Sequence, residues 1–432
     1  MNAYLHKKAE TQIDTNEIVA RYQATRARSI ALAEGLSDAD QTVQSMADCS
    51  PTKWHLAHTT WFFEAFILVP HASNYSPFNE RFFYLFNSYY EQAGPRHPRP
   101  QRGMLTRPSA SEISQYRAHV DEAMAELLAS GTPDARVTDL LILGCNHEEQ
   151  HQELLQTDIL HLFAQNPLKP ALRSSIPIDS GNATTSLKWI EIDGGVVEIG
   201  EDESDPNTGF IYDCESPRHE VLIRPFKIAN RLVTNEEWIE FIQDDAYHTA
   251  TLWLADGWAT LNNENWQAPL YWEQRDGTWW SMTLHGPQPL NEKAPVTHIS
   301  YFEAEAFARW SGKRLPTEFE WERSARLHES AASREESHPD LLMPRPATGV
   351  AELEQLYSDV WQWTGSSYLP YPGFKTAEGA VGEYNGKFMC GQFILRGGSC
   401  ATSPGHSRRT YRNFFYPQQR WQFSGLRLAE DN

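Results

Sequence analysis

Hydrophobic residues recur with helical spacing through the first part of the chain. A period near 3.6 residues predicts helices over four stretches: Ile13–Leu36, Trp54–Leu68, Ser111–Ala129 and Val137–Phe163. Four long amphipathic helices in succession indicate a helical bundle, in which functional sites are built from side chains on facing helices. The connection from Pro70 to Pro108 is too long for a turn, and connections of that length in compact domains are usually functional.

The pattern changes after residue 165. Residues 166–186 are rich in proline, glycine and small polar residues, a composition typical of an interdomain linker. Beyond it, short apolar runs separated by Gly, Pro and Trp predict strands and two helices: Trp189–Ile192, Val196–Gly200, Val221–Ile223, then Thr234–Gln243 and Tyr301–Ser311. We therefore expect an α+β chain of two domains, a helical bundle over 1–165 and a loop-rich α+β domain over 187–432, joined by the linker.

Composition and charge exclude several classes of protein. No apolar run approaches the ~18 residues of a membrane helix, and the first ten residues lack the apolar core of a signal peptide. The five cysteines are widely spaced and odd in number, which favours reduced thiols and a cytoplasmic location. A formal net charge of −20 argues against a nucleic-acid or anionic-membrane partner, because both require clustered Lys and Arg.

Two histidines in the fourth predicted helix suggest a metal site. His147 and His151 are separated by four residues and therefore lie on one helix face. Read literally, His147-Glu-Glu-Gln-His151 is the zinc-peptidase motif with Glu148 as general base, but so short a motif often recurs by chance. From the spacing alone, a pair of hydrogen-bonded bundle histidines is an equal alternative to a metal site. His55 or His58, on the second predicted helix, could add a third imidazole, and spacing alone does not choose between them. Imidazole suits iron, zinc and copper, so the metal stays open.

A set of longer motifs follows the same order along the whole chain. They are Trp54-His-Leu-Ala-His-Thr-Thr-Trp-Phe-Phe-Glu64, His147-x-x-x-His151, Pro295-Val-Thr-His-Ile-Ser-Tyr301, Gly312-Lys-Arg-Leu-Pro-Thr-Glu-Phe-Glu-Trp321, Asp359-Val-Trp-Gln-Trp363, Leu395-Arg-Gly-Gly-Ser399 and Phe423-Ser-Gly-Leu-Arg-Leu428. In this combination the chain resembles the ergothioneine-biosynthesis sulfoxide synthases of the EgtB family. The resemblance implies a DinB-like four-helix bundle followed by a domain like the formylglycine-generating enzyme, with a C-type-lectin-like fold.

The resemblance also implies a chemistry. The family's iron ligands fall on His58, His147 and His151, which makes His55 a neighbour of the site. The expected cofactor is non-haem Fe(II), and the expected reaction uses O2 to join a thiol sulfur to the imidazole C2 of hercynine (Nα-trimethylhistidine) as a sulfoxide. Gln150 matches a residue that contacts the hercynine imidazole, and Asn413 one near its carboxylate and ammonium. Phe414 matches an aromatic residue beside the trimethylammonium group, where cation–π attraction operates.

The thiol substrate is expected to be free cysteine, giving hercynylcysteine sulfoxide. Phe415 stands where the branch using γ-glutamylcysteine has an aspartate, and a phenyl ring cannot replace that charge. Tyr384 is offset from that branch's C-terminal catalytic tyrosine. By resemblance to the cysteine-using branch, Tyr89 and Tyr90 are the expected donors of a proton or hydrogen atom. Adjacent side chains usually point apart, so one tyrosine is expected to be catalytic and the other supportive, and Tyr90 is slightly favoured.

The carboxylate of cysteine requires a cation. Arg99 and Arg102, in the same long connection, are the expected partners, because a guanidinium binds a carboxylate through two parallel hydrogen bonds.

Four alternatives remain to be weighed against this interpretation. Selenoneine synthase would use the same iron ligands. An ovothiol-type 5-histidylcysteine sulfoxide synthase would too, but such enzymes usually add a methyltransferase domain for which we expect no room in this chain. A formylglycine-generating oxidase needs two copper-binding cysteines after the Arg-Gly-Gly-Ser motif, where only Cys400 is present. A non-catalytic lectin-like module would not require three histidines.

Overall fold

The computed structural model describes residues 15–129, 134–173, 185–205, 208–329, 341–376, 382 and 385–432. The chain divides into two compact units. The first unit comprises Met1–Leu168, Glu203–Phe210 and Lys375–Lys387, and the second comprises Lys169–Asp202, Ile211–Phe374 and Phe388–Asn432. The boundaries expected at residues 165 and 187 stay predictions. Residues 174–184 of the expected linker and Tyr384 lie outside the described residues.

The first unit is helical. Its helices are α1 Thr15–Ala33, α2 Thr52–Phe63, α3 Phe82–Phe86, α4 Ala110–Ala129 and α5 Ala135–Gln165. The four long helices match the four stretches predicted from hydrophobic spacing. After Phe63 the helix α2 continues as a π-helical segment, Glu64–Leu68, and a last turn, Val69–His71. Asp134 begins α5 by accepting a hydrogen bond from the backbone N–H of Val137 at 2.8 Å.

Helix α2 is the centre of this bundle. All of its side chains are buried, and it packs against both α4 and α5. A helix that presents apolar or internally bonded side chains on every face belongs inside a fold. Residues on α2 therefore lie in a water-poor interior, where a polar group needs a specific partner.

The second unit contains all the described strands. They are β1 Trp189–Ile192, β2 Gly195–Ile199, β3 His219–Ile223, β4 Phe226–Ala229, β5 Trp272–Arg275, β6 Thr278–Thr283, β7 Gly286–Pro289, β8 Trp361–Ser367, β9 Phe393–Gly397, β10 Asn413–Phe415, β11 Ser424–Leu426 and β12 Ala429–Asp431. Its helices are α6 Asn235–Gln243, α7 Ala255–Glu264, α8 Tyr301–Trp310 and α9 Glu318–His328. The α+β class expected from the sequence is confirmed.

The strands form four small sheets. Their orders are β1-β4-β12, β10-β9-β8-β11, β2-β3 and β5-β6-β7. Only the β11–β8 pair among these is parallel. Side chains of β1, β3, β4 and α9 share one buried cluster, in which Trp321 is fully enclosed and donates its indole N–H to Gln362 Oε1 at 2.7 Å. None of the helices that the structure describes is long and apolar enough to cross a membrane.

Candidate metal centre

Three histidines from two helices converge in the first unit. His58 comes from α2, and His147 and His151 come from one face of α5. Each offers a ligand nitrogen, and these atoms all lie within 4.8 Å of one another. The ring centroids are 4.9 Å apart for His58–His147 and 4.7 Å for the other two pairs. The structure thus brings together the three residues predicted as metal ligands.

His58 is held rigidly with one nitrogen directed toward a partner. Trp54 and Trp61, one turn away on either side along α2, stack on its imidazole at 4.7 and 5.6 Å between centroids. Its Nδ1 lies 2.6 Å from the carbonyl oxygen of Phe86, which can only accept, so Nδ1–H donates. Nε2 therefore carries the lone pair. It is buried and has no hydrogen-bond partner among the described residues, which fits a metal ligand.

His55 lies beside the cluster and is bonded to one member of it. Its Nδ1 is 2.9 Å from Nδ1 of His151, and its Nε2 is 3.0 Å from Oδ2 of Asp158. Both of its ring nitrogens are therefore engaged. These hydrogen bonds favour His58 over His55 as the third imidazole of the candidate site, the choice that spacing leaves open.

The surroundings keep the three imidazoles neutral. Burial lowers the pKa of His147 to about 3, despite the opposing charge of Glu148. Burial, reinforced by the neighbouring histidines, also holds the pKa of His58 and of His151 well below 6.5. Neutral imidazoles are the form that binds metal ions. The donor set is all nitrogen, which suits a transition metal and does not suit calcium or magnesium.

Glu148, the general base of the zinc-peptidase interpretation, is committed elsewhere. Arg26 Nη1 and Arg117 Nη2 donate to its two oxygens at 2.8 and 2.9 Å, and Ser29 Oγ donates at 2.5 Å. Burial alone would raise the pKa of this carboxyl, but the two guanidiniums outweigh it and lower the pKa to about 2. A carboxylate with both oxygens bound to arginines is not available to activate a metal-bound water.

The same carboxylate connects the whole bundle. Arg26 and Ser29 lie on α1, Arg117 on α4 and Glu148 on α5. Arg26 Nη2 also donates to Thr60 Oγ1 on α2 at 3.0 Å. Side chains of α1 and α4 therefore meet at the buried carboxylate of α5, and Arg26 extends the network to α2. Glu148 has a structural role that the sequence did not suggest.

The two predicted tyrosines lie together next to an α2 aromatic residue. Tyr90 is fully buried, with its ring centroid 5.6 Å from that of Trp61, which itself stacks on His58. Tyr89 is partly exposed and stacks on Tyr90 at 4.6 Å. The expectation that adjacent side chains point apart is therefore wrong here. The irregular backbone between α3 and α4 does not impose the alternation of a strand.

The two predicted arginines have different environments. Arg102 is 3% exposed, lies 3.3 Å from the ring centroid of Trp54, and donates to Ser50 Oγ and Ser88 Oγ at 2.9 and 3.1 Å. Burial, together with nearby Arg99, holds its pKa well below 12.5. Arg99 is exposed and donates to the backbone carbonyl of Asp48. Within the described residues Arg102 has no carboxylate at ion-pair distance.

The residues predicted to bind hercynine occur in both units. Gln150 lies on α5 between the histidines and is partly exposed. Asn413, Phe414 and Phe415 form β10 in the second unit, where Phe414 stacks on Tyr368 at 4.2 Å and Phe415 contacts Trp421 at 6.1 Å. Their substrate contacts stay predictions.

Sequence reasoning missed Asp158, the acceptor for His55. A signal was present, because Asp158 follows His151 by seven residues and so lies two turns further along the same face of α5. The stacking of Trp54 and Trp61 on His58 was also readable as helical spacing within the quoted motif.

Comparisons with known proteins agree with both units. The chain matches the DinB superfamily over residues 21–155 and the Sulfatase-modifying factor enzyme 1-like domain over residues 178–341 and 347–432.

Whole-chain relatives give the same result. Hercynine oxygenase of Mycolicibacterium smegmatis is 31% identical over 94% of this chain and 96% of its own length, and that of Mycobacterium tuberculosis is 30% identical over 96% and 99%. Ergothioneine biosynthesis protein 1 of Schizosaccharomyces pombe is 23% identical over 75% of this chain and 44% of its own length. Near-complete coverage at this identity, with both domains in the expected order, shows that the chain is an oxygenase and belongs to the EgtB family of hercynine oxygenases.

Proposed function

We propose that the protein is a non-haem Fe(II), O2-dependent sulfoxide synthase that joins the sulfur of cysteine to the imidazole C2 of hercynine. The product is hercynylcysteine sulfoxide, an intermediate of ergothioneine biosynthesis. The reaction removes the hydrogens of C2–H and S–H, forms the C–S bond and places one oxygen of O2 on sulfur. The other oxygen leaves as water, so the four electrons lost by the substrates match those gained by O2.

The observation that carries this proposal is the three-histidine cluster, in which Nε2 of His58 has no hydrogen-bond partner among the described residues. Three neutral imidazoles from one side leave further coordination positions for substrates, an arrangement that suits oxygen-activating iron better than a closed structural zinc site. His58, His147 and His151 would hold the ion. When bound there, Fe(II) supplies the one-electron chemistry that triplet O2 requires.

Arg102 supports an anionic substrate close to this cluster. A buried guanidinium without a carboxylate partner is costly, since its charge is desolvated and not compensated. The α-carboxylate of cysteine would compensate it and would replace water with a charge-assisted hydrogen bond. Only the Trp54 ring separates Arg102 from the ligand His58, because Trp54 stacks on both.

Tyr90 and Tyr89 are suited to proton transfer. The sulfur chemistry requires protons to reach the oxygen that leaves as water, and a phenol O–H is a donor with no charge to desolvate. Tyr90 is fully buried beside Trp61, whereas Tyr89 is partly exposed. We infer that Tyr90 holds the transferred proton and that Tyr89 connects it to solvent.

Hercynine recognition is assigned to Gln150 and to residues of β10. Gln150, next to the ligand His151, would hold a ring nitrogen of the hercynine imidazole. Asn413 would contact the carboxylate. Phe414 and Tyr368, whose rings stack at 4.2 Å with planes 15° apart, offer an aromatic surface to a quaternary ammonium.

A product assay tests which thiol substrate the protein uses. The Fe(II)-loaded protein is incubated with hercynine and O2 plus cysteine, γ-glutamylcysteine or a selenosugar in separate reactions, and products are identified by mass spectrometry. The proposal expects the cysteine sulfoxide adduct in preference to the others. A product with γ-glutamylcysteine alone, or with the selenosugar alone, would reject the cysteine assignment. Retention of the C2 proton by NMR would indicate the ovothiol-type position instead.

A matched pair of variants tests the role of Phe415. Phe415→Asp introduces the charge found in the γ-glutamylcysteine branch, whereas Phe415→Leu removes the ring without adding charge. We expect the aspartate variant alone to gain activity with γ-glutamylcysteine, by about tenfold, since one charge-assisted hydrogen bond contributes roughly 1.5 kcal/mol or more. Equal behaviour of the two variants would mean that Phe415 does not determine the thiol.

A further inference from the structure

Asp158 is the end of a short chain of hydrogen bonds that leads to the three-histidine cluster. It lies on α5 two turns beyond His151. Its Oδ2 is 3.0 Å from His55 Nε2 and 2.7 Å from the backbone N–H of Ser50. His55 in turn reaches His151 through the two Nδ1 atoms, 2.9 Å apart. His55 and Asp158 are only 3% and 6% exposed, so water does not compete for these bonds.

Only one distribution of protons is compatible with metal binding by His151. Because Nδ1 of His151 is occupied by His55, the atom left for a metal is Nε2, which must carry a lone pair. Nδ1 of His151 must then carry the hydrogen and donate it to Nδ1 of His55. A neutral His55 that accepts at Nδ1 carries its own hydrogen on Nε2, and the carboxylate of Asp158 is there to accept it.

The opposite distribution would prevent metal binding. If His55 donated through Nδ1, the lone pair of His151 would point at His55 and its hydrogen would be on Nε2. The carboxylate of Asp158 excludes this for a neutral His55, because a carboxylate has no hydrogen to give to Nε2.

We propose that His55 and Asp158 are positioning residues that hold His151 in its Nδ1–H tautomer and so direct Nε2 to the metal. The inference rests on the proposed function only for the presence of a metal at the three histidines. His58 obtains the same tautomer from the carbonyl of Phe86, a neutral acceptor. His151 instead obtains it from a chain of two hydrogen bonds that ends at the carboxylate of Asp158.

The test measures metal affinity, not turnover. Fe(II) binding is followed anaerobically by competition with a chromophoric chelator. We expect His55→Phe, which removes both hydrogen bonds, to weaken binding 10- to 100-fold. His55→Gln should stay within about threefold of the parent, because its amide accepts from His151 and donates to Asp158. Asp158→Asn keeps an acceptor oxygen for His55 and Ser50 without the charge, and should fall between them.

Tyr22→Phe is the matched control. Tyr22 is a buried residue of α1 whose hydroxyl donates to Asp121 Oδ1 at 2.6 Å. The phenylalanine variant loses this one hydrogen bond and leaves the Asp158–His55–His151 chain, here called the relay, unchanged. It should bind Fe(II) as the parent does. If the far-UV circular dichroism of His55→Phe differs from that of the parent, the variant has not kept the fold. The proposal is then judged by the other two variants, and Asp158→Asn should bind Fe(II) more weakly than His55→Gln.

Each outcome separates the two claims. If the parent binds Fe(II) and both His55→Phe and Asp158→Asn bind it within threefold of the parent's affinity, His55 and Asp158 do not position His151. The metal site itself would still be supported. The relay is also wrong if His55→Gln is as weak as His55→Phe, since that indicates a specific need for a ring. If the parent itself binds no Fe(II), the proposed function fails first.

Discussion

The two sides of α5 around His147–His151 differ in how their polar groups are satisfied. On one side Glu148 is bonded to Arg26 and Arg117, so charges are paired and every oxygen is used. On the other side His147 and His151 are neutral, and they face His58, whose Nε2 has no partner among the described residues. One helix therefore carries a structural network and a candidate metal site at adjacent positions, Glu148 and His147.

The difference indicates where a ligand is needed. Buried polar groups are normally satisfied inside the protein, and a region where they are not is one that a ligand completes. Both oxygens of Glu148 are bonded within the bundle. On the histidine side, among the described residues, Nε2 of His58 has no hydrogen-bond partner, and Arg102, one aromatic ring away from His58, has no carboxylate at ion-pair distance.

The largest effect is expected from removing one of the three histidines of the candidate metal site. His147→Ala should lower sulfoxide formation by at least about 1,000-fold, because a metal contributes several kcal/mol to the chemical step. Product formation by mass spectrometry and iron content after anaerobic loading measure this. Full turnover by the variant would return the non-catalytic binding module to consideration.

The next largest effect is expected on the Glu148 side of α5, and it concerns the stability of the fold. Glu148→Gln should reduce the free energy of unfolding by about 3–5 kcal/mol, because buried Arg117 loses its counter-charge and buried Arg26 keeps only Asp121. The pKa of Glu148 is depressed, so its stabilisation is complete above the unfolded value near 4.5 and is lost as the pH falls toward about 2.

Urea unfolding between pH 7 and pH 3 measures this contribution. The parent should lose stability over that range more steeply than the glutamine variant, provided that both unfold in one transition. Parallel curves for the two proteins would mean that Glu148 does not carry the stabilisation assigned to it.

A smaller effect is expected at the tyrosine pair. Tyr90→Phe should lower the rate of product formation about 100-fold, the usual contribution of a positioned proton donor. Tyr89→Phe should lower it less than tenfold, because Tyr89 is the partly exposed member. Metal affinity should not change in either variant. A reversed order of the two rates would exchange their assignments.

The smallest effect is expected from substitutions of the two arginines, and it should appear in KM for cysteine. Arg102→Met keeps the volume beside Trp54 but removes the charge, and should raise KM for cysteine about 10-fold or more, since hydrogen bonds to charged groups contribute roughly 1.5–3 kcal/mol. Arg99→Met serves as the matched comparison and should change KM less than threefold, because Arg99 is exposed and its guanidinium bonds a backbone carbonyl. Equal shifts would assign both to the substrate.

The convergence of the three histidines was predictable because it depends on local spacing and on motifs. The four-residue separation of His147 and His151 requires only a helix, and hydrophobic spacing predicts that helix over nearly its full length. The choice between His55 and His58 was not predictable from spacing. It depends on the carbonyl of Phe86 and on Asp158, which are distant in sequence and adjacent only in the fold.

The second unit was less predictable than the bundle. Its short strands carry few residues each, and their order β10-β9-β8-β11 depends on long-range pairing. Helix α7 escaped prediction because Gly257 and several polar residues weaken its periodicity. Helix α9 had a readable start, since Thr317 and Glu320 form a capping box.

The most direct test of the account is the dependence of the reaction on iron and oxygen. Protein prepared anaerobically without metal is loaded with Fe(II) or Zn(II), supplied with hercynine and cysteine, and exposed to a measured amount of O2. We predict that one molecule of the sulfoxide product forms per O2 consumed with Fe(II), and that none forms with Zn(II). Product formation with zinc, or O2 consumption without the C–S product, would contradict this prediction.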